Sequence, residues 1–332
     1  MPHRSARLFG LVACLAVGAA ACGSVTATAT DGAAGKGGAG ADAAVDKPMT
    51  TIADGCNQVA KALCDTLNGC APVFVQYLYG DEPTCISRAV LSCMTDQMVT
   101  GIARTADDLV SCAKAAATTS CSDALAGNFP SVCAVMPGPV ANGAACGSDW
   151  QCQSTYCNKT DACGVCSPRA VAGADCTVDG GCVAGLVCAN KKCVAPAGPS
   201  APCNLPAQPC RADLYCTSAA GSGTCQTRIE PGGACADNPA DACDIFMGGV
   251  CNTIANANTC VTIKIAAGGD MCGLAAKTAC VGGVAPCSNP LTGGVCANPA
   301  QDGEACGDKA VCVPPATCVD KICRLPSAPD CH

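Results

Sequence analysis

The chain carries 36 cysteines in 332 residues, about 11%, which places it among disulfide scaffolds. No other property limits its fold more. Aromatic residues make up 3%, Trp150 is the single tryptophan, and the 50% hydrophobic fraction leans on alanine and cysteine. From residue 138 the cysteines recur with a fixed period, the mark of a tandem array. The first cysteines of successive units are Cys146, Cys176, Cys203, Cys235, Cys272 and Cys306, about thirty residues apart. Lead-ins NGAAC, AGADC, PGGAC, GGDMC and DGEAC are alike, and SAPC before Cys203 is the exception.

The last two cysteines of each unit have hairpin spacing. Cys188/Cys193 and Cys318/Cys323 are five apart; Cys157/Cys166, Cys216/Cys225, Cys251/Cys260 and Cys287/Cys296 are nine apart. With a two-residue loop, such separations place both residues at a non-hydrogen-bonded pair, within disulfide range. Direct bonds Cys157–Cys166, Cys188–Cys193, Cys216–Cys225, Cys251–Cys260, Cys287–Cys296 and Cys318–Cys323 are therefore one expectation. Bonds from each pair to the first two cysteines of its unit are the other, since four cysteines allow three connectivities. Cys163 and Cys331 are extra to the six units.

Staples suit these units. About thirty residues is below the size at which chains fold unaided, and each bridge contributes roughly 2–4 kcal/mol. Structural zinc needs matched C-x2-C pairs or histidines. Only Cys163/Cys166 has that spacing, and the histidines are His3 and His332. CGVC at 163–166 has the letters of a thioredoxin-type redox motif, but it follows the polar turn NKTDA with no βαβ pattern around it. The expectation is no metal and no cofactor.

Residues 50–137 have a helical texture. Ile52, Cys56, Val59, Leu63, Leu67 and Cys70 form one stripe, with Gly69 as a C-cap candidate. A second helix is expected from Thr84 after Pro83, and a third at TADD, where Thr105 and Asp108 hold the capping-box offset. Cys56/Cys64 and Cys85/Cys93 share C-x7-C spacing, as two antiparallel helices clipped by Cys56–Cys93 and Cys64–Cys85 would need. Cys70, Cys112, Cys121 and Cys133 fasten the rest. The expected fold is thus a small disulfide-rich one: an N-terminal α-helical cysteine domain over 50–137, then a tandem array of about six short β-hairpin cystine modules over 138–332.

The N-terminus has the order of an export signal. Arg4 and Arg7 precede the apolar run Leu8–Gly18 and the small residues AAAC, too short a stretch to span a membrane. The ending resembles the lipobox of bacterial lipoproteins, which implies a lipidated cysteine as the mature N-terminus. LVAC at Cys14 fits that consensus in letters but leaves a short apolar region. Lipidation at Cys22 leaves 34 of the 36 cysteines, an even number, and is preferred. Residues 1–21 are then signal peptide and 22–49 a lipidated cysteine with a flexible Gly/Ala tether. Gly23 implies outer-membrane sorting in that family. Plain secretion after Ala27–Ala29 is the alternative.

Other chemistry is thin. Nucleophiles lack a well-placed histidine base. Glu82, Glu230 and Glu304 sit beside turn residues, and Asp237, Asp241 and Asp244 lack a calcium-loop pattern. Asn158-Lys159-Thr160 matches a glycosylation sequon but reads as a turn. Loss of Arg4 and Arg7 takes the formal charge from −7 to −9, which argues against nucleic acid. The C-x5-C-x4-C stretch CGSDWQCQSTYC (146–157) resembles the cysteine-rich N-terminal module of Dickkopf proteins. Behind such a signal and helical region, the repeats are similar to cysteine-rich surface lipoproteins of myxobacteria. The absence of any C-x-C excludes an EGF module. The resemblance supplies an architecture and no activity. Six similar units with variable hairpin tips (SAAGSGT, NTIANANT, SNPLTGGV) lead to the expectation of a non-enzymatic surface protein, a stalk or adhesion and interaction scaffold. It would meet the membrane through its N-terminal lipid and bind a surface or extracellular partner not yet identified. Inhibition of extracellular hydrolases is the alternative.

Overall fold

A computed structural model describes residues 50–325 and Cys331, apart from 103, 160–162, 178, 219–220, 236–241, 253–257, 274–276, 283–286, 290–292 and 308–309. The export signal, Cys14, Cys22, the tether, Asp237, Asp241 and both histidines lie outside the described residues.

Five helices come first: α1 Ile52–Cys70, α2 Pro72–Tyr79, α3 Glu82–Met98, α4 Ala106–Ala116 and α5 Cys121–Leu125. Thr51 caps α1 and Thr105 caps α4, each through a complete capping box with Asp54 and Asp108 respectively. Gly69 lies inside the last turn of α1, and Ala71 is the C-cap, because Pro72 opens α2 at once. The third helix starts before Thr84: Asp81 caps it by accepting the Thr84 N–H at 2.7 Å, with Pro83 in its first turn, where a missing N–H costs nothing. Cys56, Val59 and Ala62 of α1 pack on Leu109, Cys112, Ala113 and Ala116 of α4. Disulfides join Cys56 to Cys93 and Cys64 to Cys85, with Cα separations of 5.6 and 6.1 Å. Cys70–Cys121 and Cys112–Cys133 complete the helical part.

The six units share one backbone frame. In unit one, β1 (Ala145–Cys146), β2 (Cys157–Lys159) and β3 (Gly164–Cys166) form a sheet in the order β1-β3-β2. The residue six positions before the first cysteine pairs in parallel with the second cysteine. This residue is Val140, Ala170, Ala197, Ile229, Ala266 or Ala300. The residue three before the first cysteine donates its N–H to the carbonyl of the fourth cysteine at 2.7–2.8 Å, in all six units. The fourth cysteine's N–H returns to the next lead-in carbonyl at 2.8–3.0 Å. Each unit therefore begins some three residues before the glycine that marks it in the sequence.

Direct hairpin bonds are not what the structure contains. Cys157/Cys166, Cys188/Cys193, Cys216/Cys225, Cys251/Cys260, Cys287/Cys296 and Cys318/Cys323 face one another in register. Yet the first cysteine bonds the third and the second bonds the fourth in every unit: Cys146–Cys157 and Cys152–Cys166, then Cys176–Cys188 and Cys182–Cys193, Cys203–Cys216 and Cys210–Cys225. Cys235–Cys251 and Cys243–Cys260, Cys272–Cys287 and Cys280–Cys296, Cys306–Cys318 and Cys312–Cys323 repeat the scheme. The reason is directional. Side chains opposed on one sheet face stand side by side, and here both reach inward to the lead-in and to the second cysteine's segment. A bond across the hairpin would also close a loop the turn already closes, whereas the observed bonds span 11–17 residues and restrict the unfolded chain more.

Each unit's core is mostly these sulfurs. Unit six buries Ala300, Cys306, Cys312, Ala316 and Cys323 together, and unit one buries Cys146, Cys152, Cys157 and Cys166. The frame also explains the lead-in glycine. Gly143, Gly173, Gly232, Gly269 and Gly303 have φ between +78° and +94°. A Cβ there would meet nothing within 4 Å, so the backbone conformation and not space demands glycine. At the equivalent position of unit three, Ser200 is held at φ 60°, a conformation that costs a non-glycine residue about 1–2 kcal/mol. Opposite signs are expected from two substitutions in urea unfolding with the disulfides intact. Ser200→Gly should stabilise by about 0.5–1 kcal/mol and Gly232→Ala should destabilise by about 1 kcal/mol.

Candidate functional site

The array does not run away from the helices; it is seated on them. Phe246 of unit four packs with Ala71 and Leu125, with Ala212 of unit three beside them. In unit five the Gly282 N–H meets the Tyr77 carbonyl at 2.6 Å. At unit six, Arg88 of α3 is 7% exposed. Its guanidinium forks onto Asp302 at 2.6 and 2.7 Å and also donates to the carbonyls of Val313 and Pro314. Bidentate geometry and burial make this a strong, specific contact.

Unit one has the seat with the richest chemistry. The short 3-10 turn Asp149–Gln151, capped by Ser148, presents Trp150 to the helical domain. Arg104, just before α4, lies 5.0 Å from the centre of the Trp150 ring, a cation–π contact. Its Nε is buried without a hydrogen-bond partner among the described residues, while its Nη2 reaches the Val132 carbonyl at 3.4 Å. The Trp150 side chain bonds to the Asp96 carboxylate near the end of α3, and Lys159 and Arg104 face the same carboxylate. Asp149 accepts the Cys157 N–H at 2.7 Å and pairs with Arg169 at 3.4 Å. Arg169 in turn lies 5.2 Å from the Tyr156 ring and donates to the carbonyls of Thr155 and Gly180, tying unit one to unit two.

Burial dominates the electrostatics of this junction. It pushes the Asp96 carboxyl up to about 7, against the pull of Lys159 and Arg104 and the Trp150 hydrogen bond and with the help of Asp149. It also raises Asp149, against the Cys157 N–H, Arg169 and Lys159. Lys159 is lowered by the same burial, opposed by Asp149 and Asp96. The arrangement can hold or release a proton at an interdomain contact. A shallow, open groove elsewhere, lined by Asn57, Pro83, Ile86, Ser87 and Val90, contains no titratable side chain.

The other residues singled out in the sequence are accounted for structurally. Cys163 and Cys166 are not bonded to each other: Cys163 joins Cys331 and Cys166 joins Cys152. Sulfurs such as those of Cys146, Cys152 and Cys157 lie within 4.8 Å of one another, but bridged sulfurs are not the thiolates that ligate metals. Glu82 accepts a hydrogen bond from Asn68, Glu304 accepts the Gln301 N–H, and Asp244 caps the turn Ile245–Met247. Among the described residues, no helix is long and apolar enough to cross a membrane. Comparison with protein-family models, curated proteins and solved structures gave no match.

The raised Asp96 has a definite consequence for stability. Its folded pKa lies above the ordinary carboxylate value of 3.8, so the folded state holds an extra proton between those limits. Stability should therefore fall as pH rises from about 4 to 7 and level off above. Asp54, Asp81, Asp108 and Asp175 are lowered by hydrogen bonds to Thr51, Thr84, Thr105 and Lys192; their contributions are lost only at more acid pH. Asp96→Asn keeps an acceptor for Trp150 and removes the titration. It should raise stability at pH 8 by about 1–3 kcal/mol, allowing for the water Asp96 still touches. Thermal unfolding of both forms at pH 4 and pH 8 checks this: the advantage of Asp96→Asn should shrink steadily toward acid and largely vanish near pH 4.

Proposed function

We propose that this chain is a non-enzymatic, extracytoplasmic interaction scaffold, tethered to a membrane by a lipid on Cys22. Seventeen disulfides suit a cysteine-rich protein of an extracellular or exported setting. One observation carries the functional reading. All six units keep the same lead-in hydrogen bonds and the same bond scheme, while the spacing of the last two cysteines is five in two units and nine in the other four. A fixed frame with loops of varying length is how rigid scaffolds carry recognition. Six such units can also act multivalently, so individually weak tips gain avidity.

Seating of units one, three, four, five and six on the helical domain favours a folded-back scaffold over an extended stalk. Among the described residues, the buried charged groups Arg88, Asp96, Arg104 and Asp149 are spent on the contacts between modules rather than gathered around a cavity, which weighs against catalysis. The likeness in spacing to myxobacterial surface lipoproteins belongs to the same reading, as does outer-membrane placement.

Two measurements test it. Beads coated with the full chain should attach to cells or extracellular matrix in a density-dependent way and leave extracellular hydrolases uninhibited. Stoichiometric inhibition with slow cleavage at one hairpin tip would instead establish an inhibitor. The anchor is read separately from the intact mass of protein taken from its own envelope: a chain starting at Cys22 with added acyl mass is expected, and a start near Asp31 without it would mean plain secretion.

A further inference from the structure

Sixteen of the seventeen disulfides lie inside a unit or inside the helical domain, and Cys163–Cys331 does not. It spans 168 residues and ties unit one to the segment beyond unit six. Among the described residues, neither sulfur belongs to a buried core cluster; Cys163 is exposed and Cys331 half-buried. Every bond within a unit, by contrast, has at least one buried cysteine, although in Cys306–Cys318 the other member is exposed. Cys70–Cys121 also lacks a buried member, but it joins α1 to α5 beside the packed Ala71 and Leu125. Cys163–Cys331 therefore combines access with isolation from any core, the two conditions under which a disulfide can exchange without unfolding its surroundings.

Its position gives that exchange a consequence. Unit one sits on the helical domain through Trp150, Arg104 and Asp96, and unit six through Arg88 and Asp302. The bond thus adds a covalent tie between unit one and Cys331, which follows unit six in the chain. We infer that Cys163–Cys331 is a thiol–disulfide exchange site, a clasp that an external dithiol opens and an external disulfide closes. The other sixteen bridges stay intact. In opening, a thiolate of the dithiol attacks one sulfur and the Cys163–Cys331 bond breaks. The departing cysteine thiolate takes up a proton. The second thiol of the reagent then displaces the other cysteine from the mixed disulfide and leaves as the oxidised, cyclic disulfide. Two electrons and two protons pass to the clasp. Opened, unit one keeps its own two bridges and loses its covalent tie to Cys331, so its seat on α3 is less constrained.

The single tryptophan reports on that seat. The full oxidised chain is treated with graded dithiothreitol without denaturant, quenched with iodoacetamide and mapped by mass spectrometry. In parallel, Trp150 emission and acrylamide quenching are followed. Cys163 and Cys331 should be labelled together before any other cysteine, with a red shift and stronger quenching of Trp150 in step. Removing the dithiothreitol and adding oxidised glutathione should reverse both. A C163S/C331S variant should show the loosened Trp150 signal from the outset and no response until the remaining bridges reduce. Labelling of Cys70, Cys121 or any unit cysteine before or with the clasp would overturn the inference. So would an unchanged Trp150 signal once the clasp is labelled.

Discussion

Everything in the array depends on four sulfurs crowding into the middle of about thirty residues. A chain segment this short and this poor in large side chains cannot bury enough apolar surface to offset its backbone entropy. In unit two the buried core is Cys176, Cys182 and Cys193, with Ala170, Leu186 and Cys188 against it. Here cysteine serves as core residue and cross-link at once. Once those bonds fix the lead-in beside the hairpin, backbone hydrogen bonds can form in the same places in each unit. The positive φ of the lead-in glycine follows from that geometry, which is why the position is marked so regularly.

A string of such units has no core of its own beyond the unit. The helical domain supplies what the array lacks: Leu109 and Val75 are among its fully buried side chains, and its outer face offers Tyr77, Arg88 and Arg104 to the repeats. Two of the array's anchors are charged groups largely removed from water, and they differ in kind. Arg88 finds a carboxylate and two carbonyls, so its charge is satisfied. Arg104 has an aromatic face, one long hydrogen bond and a bare Nε, and the Asp96 nearby is pushed toward neutrality. A fully satisfied ion pair gives a fixed contact; a partly satisfied cluster gives one whose strength varies with conditions. The end at unit six is thus the rigid attachment and the end at unit one the adjustable one.

Much of this was legible in the residues. Period, unit count and helical stripe give the fold class directly, because each rests on short-range spacing. Odd cysteine separations also give hairpin register, since opposed positions follow from alternation. They do not give the bonds. Which neighbour a sulfur joins depends on where the other two cysteines of the unit approach, and that is set by the parallel pairing of Val140 with Cys152 and its five counterparts. The signal was present as an apolar residue three before each lead-in glycine, but one residue per unit with Ala in four of six has little contrast. Seating on the helical domain was less legible still. Arg88, Arg104 and Asp96 look like ordinary helix-surface charges until residues more than two hundred positions away, or a tryptophan in another module, close over them. SAPC, the lead-in that broke the pattern, has the same backbone as the rest; Ser200 takes the glycine's conformation because the frame around it leaves no other.

The two features that depart from pure scaffolding fall at one place. Cys163 leaves β2 and β3 of unit one, and the Asp96–Trp150–Arg104 cluster holds the same unit against α3 and the start of α4. Had the chain only needed rigidity, a fully satisfied ion-pair seat and an even set of four cysteines would serve unit one as they serve unit six. Instead this unit carries a fifth cysteine and sits against a carboxylate on α3, Asp96, whose proton affinity lies near neutrality. Protonation of Asp96 strengthens its seat and reduction of Cys163–Cys331 loosens it, while the cystine core beneath is untouched by either. A module so built can move as a body on the helical domain without unfolding. That separates the stability of the array, fixed by buried sulfur, from the disposition of its first unit, set by chemistry at the surface.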